Sequence, residues 1–306
     1  MTPPSAVRPN VPPPSDWREV DWAAHTRTVE LDGGVTVSYV DIGAGTEPAL
    51  LLVHGLGGSW DAWLPVLPYW MPGRRIVAVD LPGFGASPAN RGVVTIDDFA
   101  SVVEKVCAAA GIDEVVAIGS SMGGWVCAEL ALARPELVEA VVLIDAAGIY
   151  PTPRERRRVV RILRLADRLA PVGCRHRERI LRSPRLRSRA LAFAFAQPDA
   201  LAVDLVARLL PVRPSPIFRS ALDAAVAKWD PAIGDRLREL TAPALVVWGD
   251  RDDQLPVRHG HEWVRLLPDA QLVVVPGAGH LPMIEAPGTV GPAVLGFLHA
   301  LPRAKA

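Results

Sequence analysis

The chain has 306 residues, 33 Lys+Arg against 33 Asp+Glu, and a composition that is half apolar. That is enough for one large α/β domain with a sizeable insertion, and it excludes a disordered chain. The zero net charge gives no overall signature for nucleic acid, and no run of eighteen apolar residues predicts a membrane span. Three unclustered cysteines, Cys107, Cys127 and Cys174, fit neither a disulfide framework nor a thiolate metal site, so a reducing, cytoplasmic location is expected.

Residues 1–24 begin "MTPPSAVRPNVPPPSDW", with no apolar stretch of secretory type. Proline removes backbone donors there, which predicts an extended arm pinned at its end by Trp17 and Trp22. From residue 25 the pattern changes. "TRTVEL" and "VTVSYVD" flank Asp32-Gly33-Gly34 and predict an edge hairpin. Short apolar runs follow, each closed by glycine or a polar turn: "PALLLVHG", "RRIVAVDLPG", "EVVAIG", "EAVVLIDAAG", "APALVVWGD" and "QLVVVPGAG". They do not alternate and are rich in β-branched residues, as strands buried on both faces of a parallel sheet are. Helices are predicted over 95–110 (Thr95 as N-cap, Asp97 and Asp98 in the first turn), 122–134 and 257–267. In a last helix Val290, Val294, Phe297, Leu298 and Leu301 share a face. The sum is an eight-stranded, mostly parallel, doubly wound α/β sheet, with core parts at 25–148 and 237–306.

Between them, 149–236 carries no strand signal and reads as a helical cap. Val159, Ile162, Leu163, Ala166 and Ala170 make one stripe, with Arg157, Arg161, Arg164 and Arg168 opposite. Fourteen arginines and only three acidic residues lie between Arg154 and Arg189. Such side chains solvate a helix face while their stems cover apolar surface. They could also steer an anionic substrate or dock on an acidic partner or membrane surface.

"AIGSSMGGWV" is the stretch with chemistry in it. Gly119-Ser120-Ser121-Met122-Gly123 matches GxSxG between a predicted strand and a predicted helix, the context that motif requires. A sharp turn there strains the serine, excludes side chains at Gly119 and Gly123, and aims the new helix's amides at a developing oxyanion. A serine hydroxyl needs a base. His280, in "GAGHLPMIEAP", ends the last predicted strand, and "VVWGDRDDQLP" offers Asp250, Asp252 and Asp253 as the group that orients it. Of the other histidines, His25, His176 and His299 read as surface residues. His259 and His261 lie beside acids on a helix without further metal ligands.

Together "VHGLGGSW", "DLPGFGASP", "GSSMGG", "WGDRDDQLP" and "GAGHLPMIEAP", in this order over residues 53–287, resemble the α/β-hydrolase fold family, in its capped serine-hydrolase branch. The resemblance implies Ser121 as nucleophile, His280 as base and, from the family's G-x-x-D, Asp252 as acid. Asp145 after "VVLI" is a second possible acid. It also implies an oxyanion hole from the backbone amides of Leu56 and Met122, and no metal or organic cofactor. His54 then reads as structural, as do Trp60, Trp63, Trp125 and the "DLPGFGAS" turn. Relatives that attack with aspartate, the haloalkane dehalogenases and epoxide hydrolases, are excluded by Ser121. Ser121 in their place favours hydrolysis of a small, mainly apolar carboxylic ester through an acyl-enzyme. Carbon–carbon bond hydrolysis of the meta-cleavage-product type is an alternative, although those enzymes usually carry asparagine where Ser120 stands. A perhydrolase and a non-enzymatic hydrolase-fold receptor are further alternatives.

Overall fold

A computed structural model describes residues 16–90, 92–149, 152–228, 234 and 236–301. Its centre is an eight-stranded sheet in the order β1-β2-β4-β3-β5-β6-β7-β8. The strands are β1 (Thr26–Leu31), β2 (Val35–Ile42), β3 (Ala49–Val53), β4 (Ile76–Val79), β5 (Val115–Ser120), β6 (Val138–Ile144), β7 (Ala244–Gly249) and β8 (Ala270–Val275). β1 and β2 form the antiparallel hairpin and β2 pairs antiparallel with β4; every later pairing is parallel.

The apolar runs lack alternation because both faces are covered. Leu51 and Val53 of β3 join one buried cluster with Phe99, Val103 and Trp263; Leu50 and Leu52 join the other with Trp63, Trp70 and Phe297. Successive residues point to opposite faces, so a strand buried on both must be apolar throughout. Helix α1 (Ile96–Ala109) starts at Thr95, whose hydroxyl accepts from the Asp98 amide while the Asp98 carboxylate accepts from the Thr95 amide. This reciprocal cap fixes the start that the sequence predicts. Helix α2 (Met122–Ala133) leaves β5 directly.

Between β6 and β7 the described residues are helical or irregular, with no strand. They form α3 (Pro153–Arg175), α4 (Arg177–Arg182), α5 (Pro184–Leu191), α6 (Val203–Leu209) and α7 (Phe218–Lys228). Residues 150–151, 229–233 and 235, at the junctions of the expected cap, lie outside the described residues. Helices α8 (Arg258–Leu266) and α9 (Pro287–Ala300) complete the second core part.

Residues 1–15 of the expected arm also lie outside the described residues. Residues 16–25 differ from the extended reading and form two short helical turns. The cause is local: Asp16 and Asp21 cap the turns through the Arg18 and Ala23 amides, and Trp17 and Trp22 are buried. The Trp22 indole donates to the Trp17 carbonyl at 2.8 Å and packs on Trp60 at 5.2 Å.

Candidate active site

β3 pairs with β4 on one side and β5 on the other, so the sheet's winding reverses between β3 and β5. Crevices in α/β sheets open at such a reversal, outside the C-terminal ends of the strands. Ser121 sits there, at the turn from β5 to α2, with φ 54° and ψ −119°. That conformation is strained for a residue with a side chain. It is held from several sides. The Ser121 amide donates to the Ile144 carbonyl at 2.9 Å, and its own carbonyl accepts from Gly124 and Ala147. A methyl group at Gly119 would overlap the Gly123 carbonyl, and one at Gly123 would overlap the Val53 and His54 carbonyls. Strand, turn and helix therefore close only with glycine at both positions.

The loops after β7 and β8 bring two further residues to this turn. His280 Nε2 lies 2.9 Å from Ser121 Oγ, and His280 Nδ1 lies 2.6 Å from Asp252 Oδ2. The other Asp252 oxygen accepts from the Gln254 amide at 2.7 Å and the Leu255 amide at 2.9 Å. Both side chains are buried, Asp252 at 4% exposure and His280 at 6%. A carboxylate fixed by two amides can hold an imidazole with its Nδ1 protonated, leaving Nε2 free to accept the serine proton.

The three aspartates of "GDRDD" separate cleanly. Asp250 is exposed and accepts from the Gly277 amide at 2.6 Å, bracing the loop that carries His280. Asp253 is exposed and faces Arg158 at 4.0 Å. Asp145 also comes close to the site: its carboxylate, that of Asp252 and the His280 ring present atoms within 4.8 Å of one another. It does not bond the imidazole. One Asp145 oxygen accepts from the Gly249 amide at 3.0 Å; the other is buried without a partner. Burial, then the charge of Asp252, raises the Asp145 pKa well above the usual carboxylate range. These groups are a poor cradle for a cation, since the Asp252 and His280 atoms are already committed to hydrogen bonds and only one Asp145 oxygen is spare. A protein-bound divalent ion takes four or more donors.

The loop after β3 lies against the serine: a methyl at Gly55 would come within 3.0 Å of Ser121 Cβ. Leu56 follows, half-buried, and Met122 opens α2, where helical amides lack intrahelical partners. His54 anchors this loop. Its Nδ1 donates to the Gly55 carbonyl at 2.7 Å and its Nε2 accepts from the Leu81 amide at 3.0 Å. Burial lowers its pKa to about 4, so the ring is neutral at pH 7. Asp80, in "DLPGFGAS", accepts from the Trp60 and Ala86 amides at 2.8 Å each. Burial raises its pKa to about 7. That segment is thus a turn built around a buried carboxyl.

The helical insertion touches these loops. Phe218 packs on Gly57 and Ile217 on Gly83. The Ala194 carbonyl accepts from the His280 amide at 2.9 Å, and the Phe193 carbonyl accepts from the Gln254 side chain at 2.9 Å. Glu285 accepts from Gly279 at 2.6 Å and from Gln197 at 2.8 Å. Sequence reading assigned nothing to Gln254 or Glu285, because side chains that latch distant backbone leave no local pattern. Phe193 and Phe195 line a cavity of about 250 Å³ that reaches His280 and is bounded by Arg251 and Asp253. Leu209 packs against the same buried cluster as Phe195 and does not line this cavity.

The family model for the alpha/beta hydrolase fold matches residues 48–287. The chain is 29% identical over 272 residues to the 2-hydroxy-6-oxo-6-phenylhexa-2,4-dienoate hydrolase of Burkholderia cepacia, covering 83% of this chain and 89% of that one. A bacterial membrane phospholipase A superposes with TM-score 0.64 at 28% identity, covering 91% and 87% of the two chains. A thermophilic esterase from Thermogutta terrifontis shares the fold, with TM-score 0.70 at 24% identity over 90% of this chain and 98% of that one. No helix among the described residues is long and apolar enough to cross a membrane.

Proposed function

Since the chain belongs to the α/β-hydrolase fold family, we propose that it hydrolyses small, mainly apolar carboxylic esters through an acyl-enzyme on Ser121. The observation that carries this reading is the continuous hydrogen-bonded chain from Ser121 through His280 to Asp252 at the strained turn after β5.

In this reading His280 Nε2 takes the Ser121 proton as Oγ attacks the ester carbonyl, and Asp252 stabilises the imidazolium. The oxyanion receives the amides of Leu56 and Met122, each worth about two to three powers of ten in rate. Collapse breaks the ester C–O bond, and the imidazolium returns its proton to the leaving alcohol. Water, deprotonated by the same nitrogen, then attacks the acyl carbon and releases the acid and free Ser121. Leu56 and Phe218, half-buried by the serine loop, support an apolar substrate. Residues 149–236 act as the cap that closes over the bound ester.

Carbon–carbon bond hydrolysis is the second reading, favoured by the Burkholderia cepacia relative. Ser120 counts against it. Its hydroxyl is sealed from solvent without a hydrogen-bond partner and offers substrate no polar contact.

Fluorophosphonate labelling and turnover of short p-nitrophenyl esters and vinylogous 1,5-diketones, with wild type and Ser121→Ala, test the proposal. Labelling and ester turnover by wild type alone, unaffected by EDTA, are expected. Turnover confined to the diketones would establish the carbon–carbon reading. Full ester turnover by Ser121→Ala would end the serine mechanism, and ligand binding without any turnover would indicate a receptor.

A further inference from the structure

Helix α3 presents a solvent face of unusual composition. Arg154, Arg157, Arg158, Arg161, Arg164, Arg168 and Arg175 are all exposed on it. Among them lie Leu165, Leu169 and Val172, each 55% exposed. Their spacing of four and three residues puts these apolar side chains in one row along the axis. The opposite face does the ordinary packing, with Val159 buried and Leu163 against the core. The exposed leucines are therefore surplus to folding.

The arginines are surplus as well. Arg164 pairs with Asp223 at 3.0 Å and Arg158 faces Asp253 at 4.0 Å. Arg154, Arg157, Arg161, Arg168 and Arg175 have no acidic partner among the described residues. Downstream, Arg179, Arg182, Arg185 and Arg189 are exposed too. Fourteen arginines and three acids between 154 and 189, in a chain of zero net charge, leave 19 basic and 30 acidic residues elsewhere. The charge of the molecule is divided, so an anionic surface attracts this segment and repels the rest.

We infer that the exposed face of α3 docks on an anionic phospholipid surface, Leu165, Leu169 and Val172 entering the headgroup boundary and the flanking arginines meeting lipid phosphates. The mixture decides the partner. A nucleic acid or acidic protein would use the arginines and leave the leucines without a role. An interfacial helix uses both, a row of apolar side chains between long cationic ones whose stems extend the apolar strip. The helix runs about 34 Å at 1.5 Å per residue, long enough to lie along a membrane plane.

Sedimentation with large unilamellar vesicles tests this, using phosphatidylcholine alone and with roughly a quarter phosphatidylglycerol. Binding is expected only with the anionic lipid, weakening as salt rises from about 0.05 to about 0.5 M. Each arginine near an anionic membrane contributes about fivefold in partitioning, so Arg157→Gln/Arg161→Gln/Arg168→Gln should lose roughly a hundredfold. Leu165→Ser/Leu169→Ser should lose about tenfold or more while keeping every charge. All these positions are exposed, so both variants should fold and turn over a soluble ester like wild type. Absence of binding to the anionic vesicles overturns the inference. So does binding that the arginine variant does not weaken, or binding that the leucine variant leaves unchanged, the behaviour of a simple polyanion site. Retention on heparin without vesicle binding would assign the face to a soluble polyanion instead.

Discussion

The loops at the C-terminal edge of the sheet and the outer face of α3 are built on opposite terms. In the loops almost every polar atom is spoken for: Asp252 accepts two amides and an imidazole, and both His54 nitrogens meet backbone. On α3 a row of cations stands in solvent beside exposed leucines. Fixed partners hold reacting atoms to a few tenths of an ångström, whereas unpaired groups at a surface stay available to something outside the molecule. Substitutions should therefore be severe in the first region and nearly silent in the second, as far as folding and chemistry are concerned.

The largest effect is expected at the base. His280→Gln should lower kcat/KM on a p-nitrophenyl ester by about four to six powers of ten, with the folded state retained in circular dichroism. A loss under tenfold would show that another group takes the Ser121 proton. The two buried aspartates sharpen this. Asp252→Asn should cost about 10⁴-fold, because an amide cannot hold Nδ1–H in the same way. Asp145→Asn should cost under about tenfold, since Asp145 does not bond the imidazole and asparagine keeps its shape and an acceptor for the Gly249 amide. If the two variants exchange ranks, Asp145 is the orienting acid. Asp145 also has a stability signature. A carboxyl whose folded pKa is raised stabilises the fold fully below its unfolded value near 3.8 and loses that contribution as pH climbs through the folded value. Denaturant unfolding of Asp145→Asn should therefore decline less than wild type toward alkaline pH.

Backbone closure and a buried imidazole give intermediate effects. Gly123→Ala would press a methyl into the Val53 and His54 carbonyls, which do not move independently of the sheet. A loss of about 3 kcal/mol or more is expected in urea titrations. The His54 pKa, about 4 against 6.5 unfolded, favours the fold above pH 6.5. That contribution should fade as pH falls from 6.5 toward 4, by up to about 3 kcal/mol. His54→Asn, less stable at pH 7, should show a shallower acid decline. An equal decline would mean His54 is protonated in the native state.

Where glycines and β-branched runs meet a chemical requirement, the sequence was readable. The hairpin at Gly33-Gly34, the Thr95 cap, the strand–turn–helix at Ser121 and the order of the acid and histidine loops all leave local marks, because each needs a particular residue type at a particular place. Asp250, Asp252 and Asp253 could not be separated by spacing alone. What separates them is two amides from the loop's own turn and the reach of a ring 28 positions away. The latches from Gln254 and Glu285 to the insertion, and the proximity of Asp145 to Asp252, join segments far apart in the chain and were invisible for that reason. The turns at residues 16–25 were missed because proline content upstream outweighed the capping aspartates in the reading.

The smallest expected effect lies on α3 and tests the contrast from its weak side. Arg164 and Asp223 form an ion pair at 3.0 Å, with side chains 47% and 49% exposed. In water such a pair gains little over its hydrated components, and two long side chains lose rotamer freedom in making it. Arg164→Gln should change stability by about 0.5 kcal/mol or less, with the shift vanishing in high salt, and should leave ester turnover untouched. The double variant Arg164→Gln/Asp223→Asn should equal the sum of the Arg164→Gln and Asp223→Asn changes within error, because the coupling between exposed charges is within the noise of a urea titration. A coupling above about 1.5 kcal/mol would mean that the arginines of α3 brace the insertion. The face would then belong with the paired loops, and its charge would serve the fold.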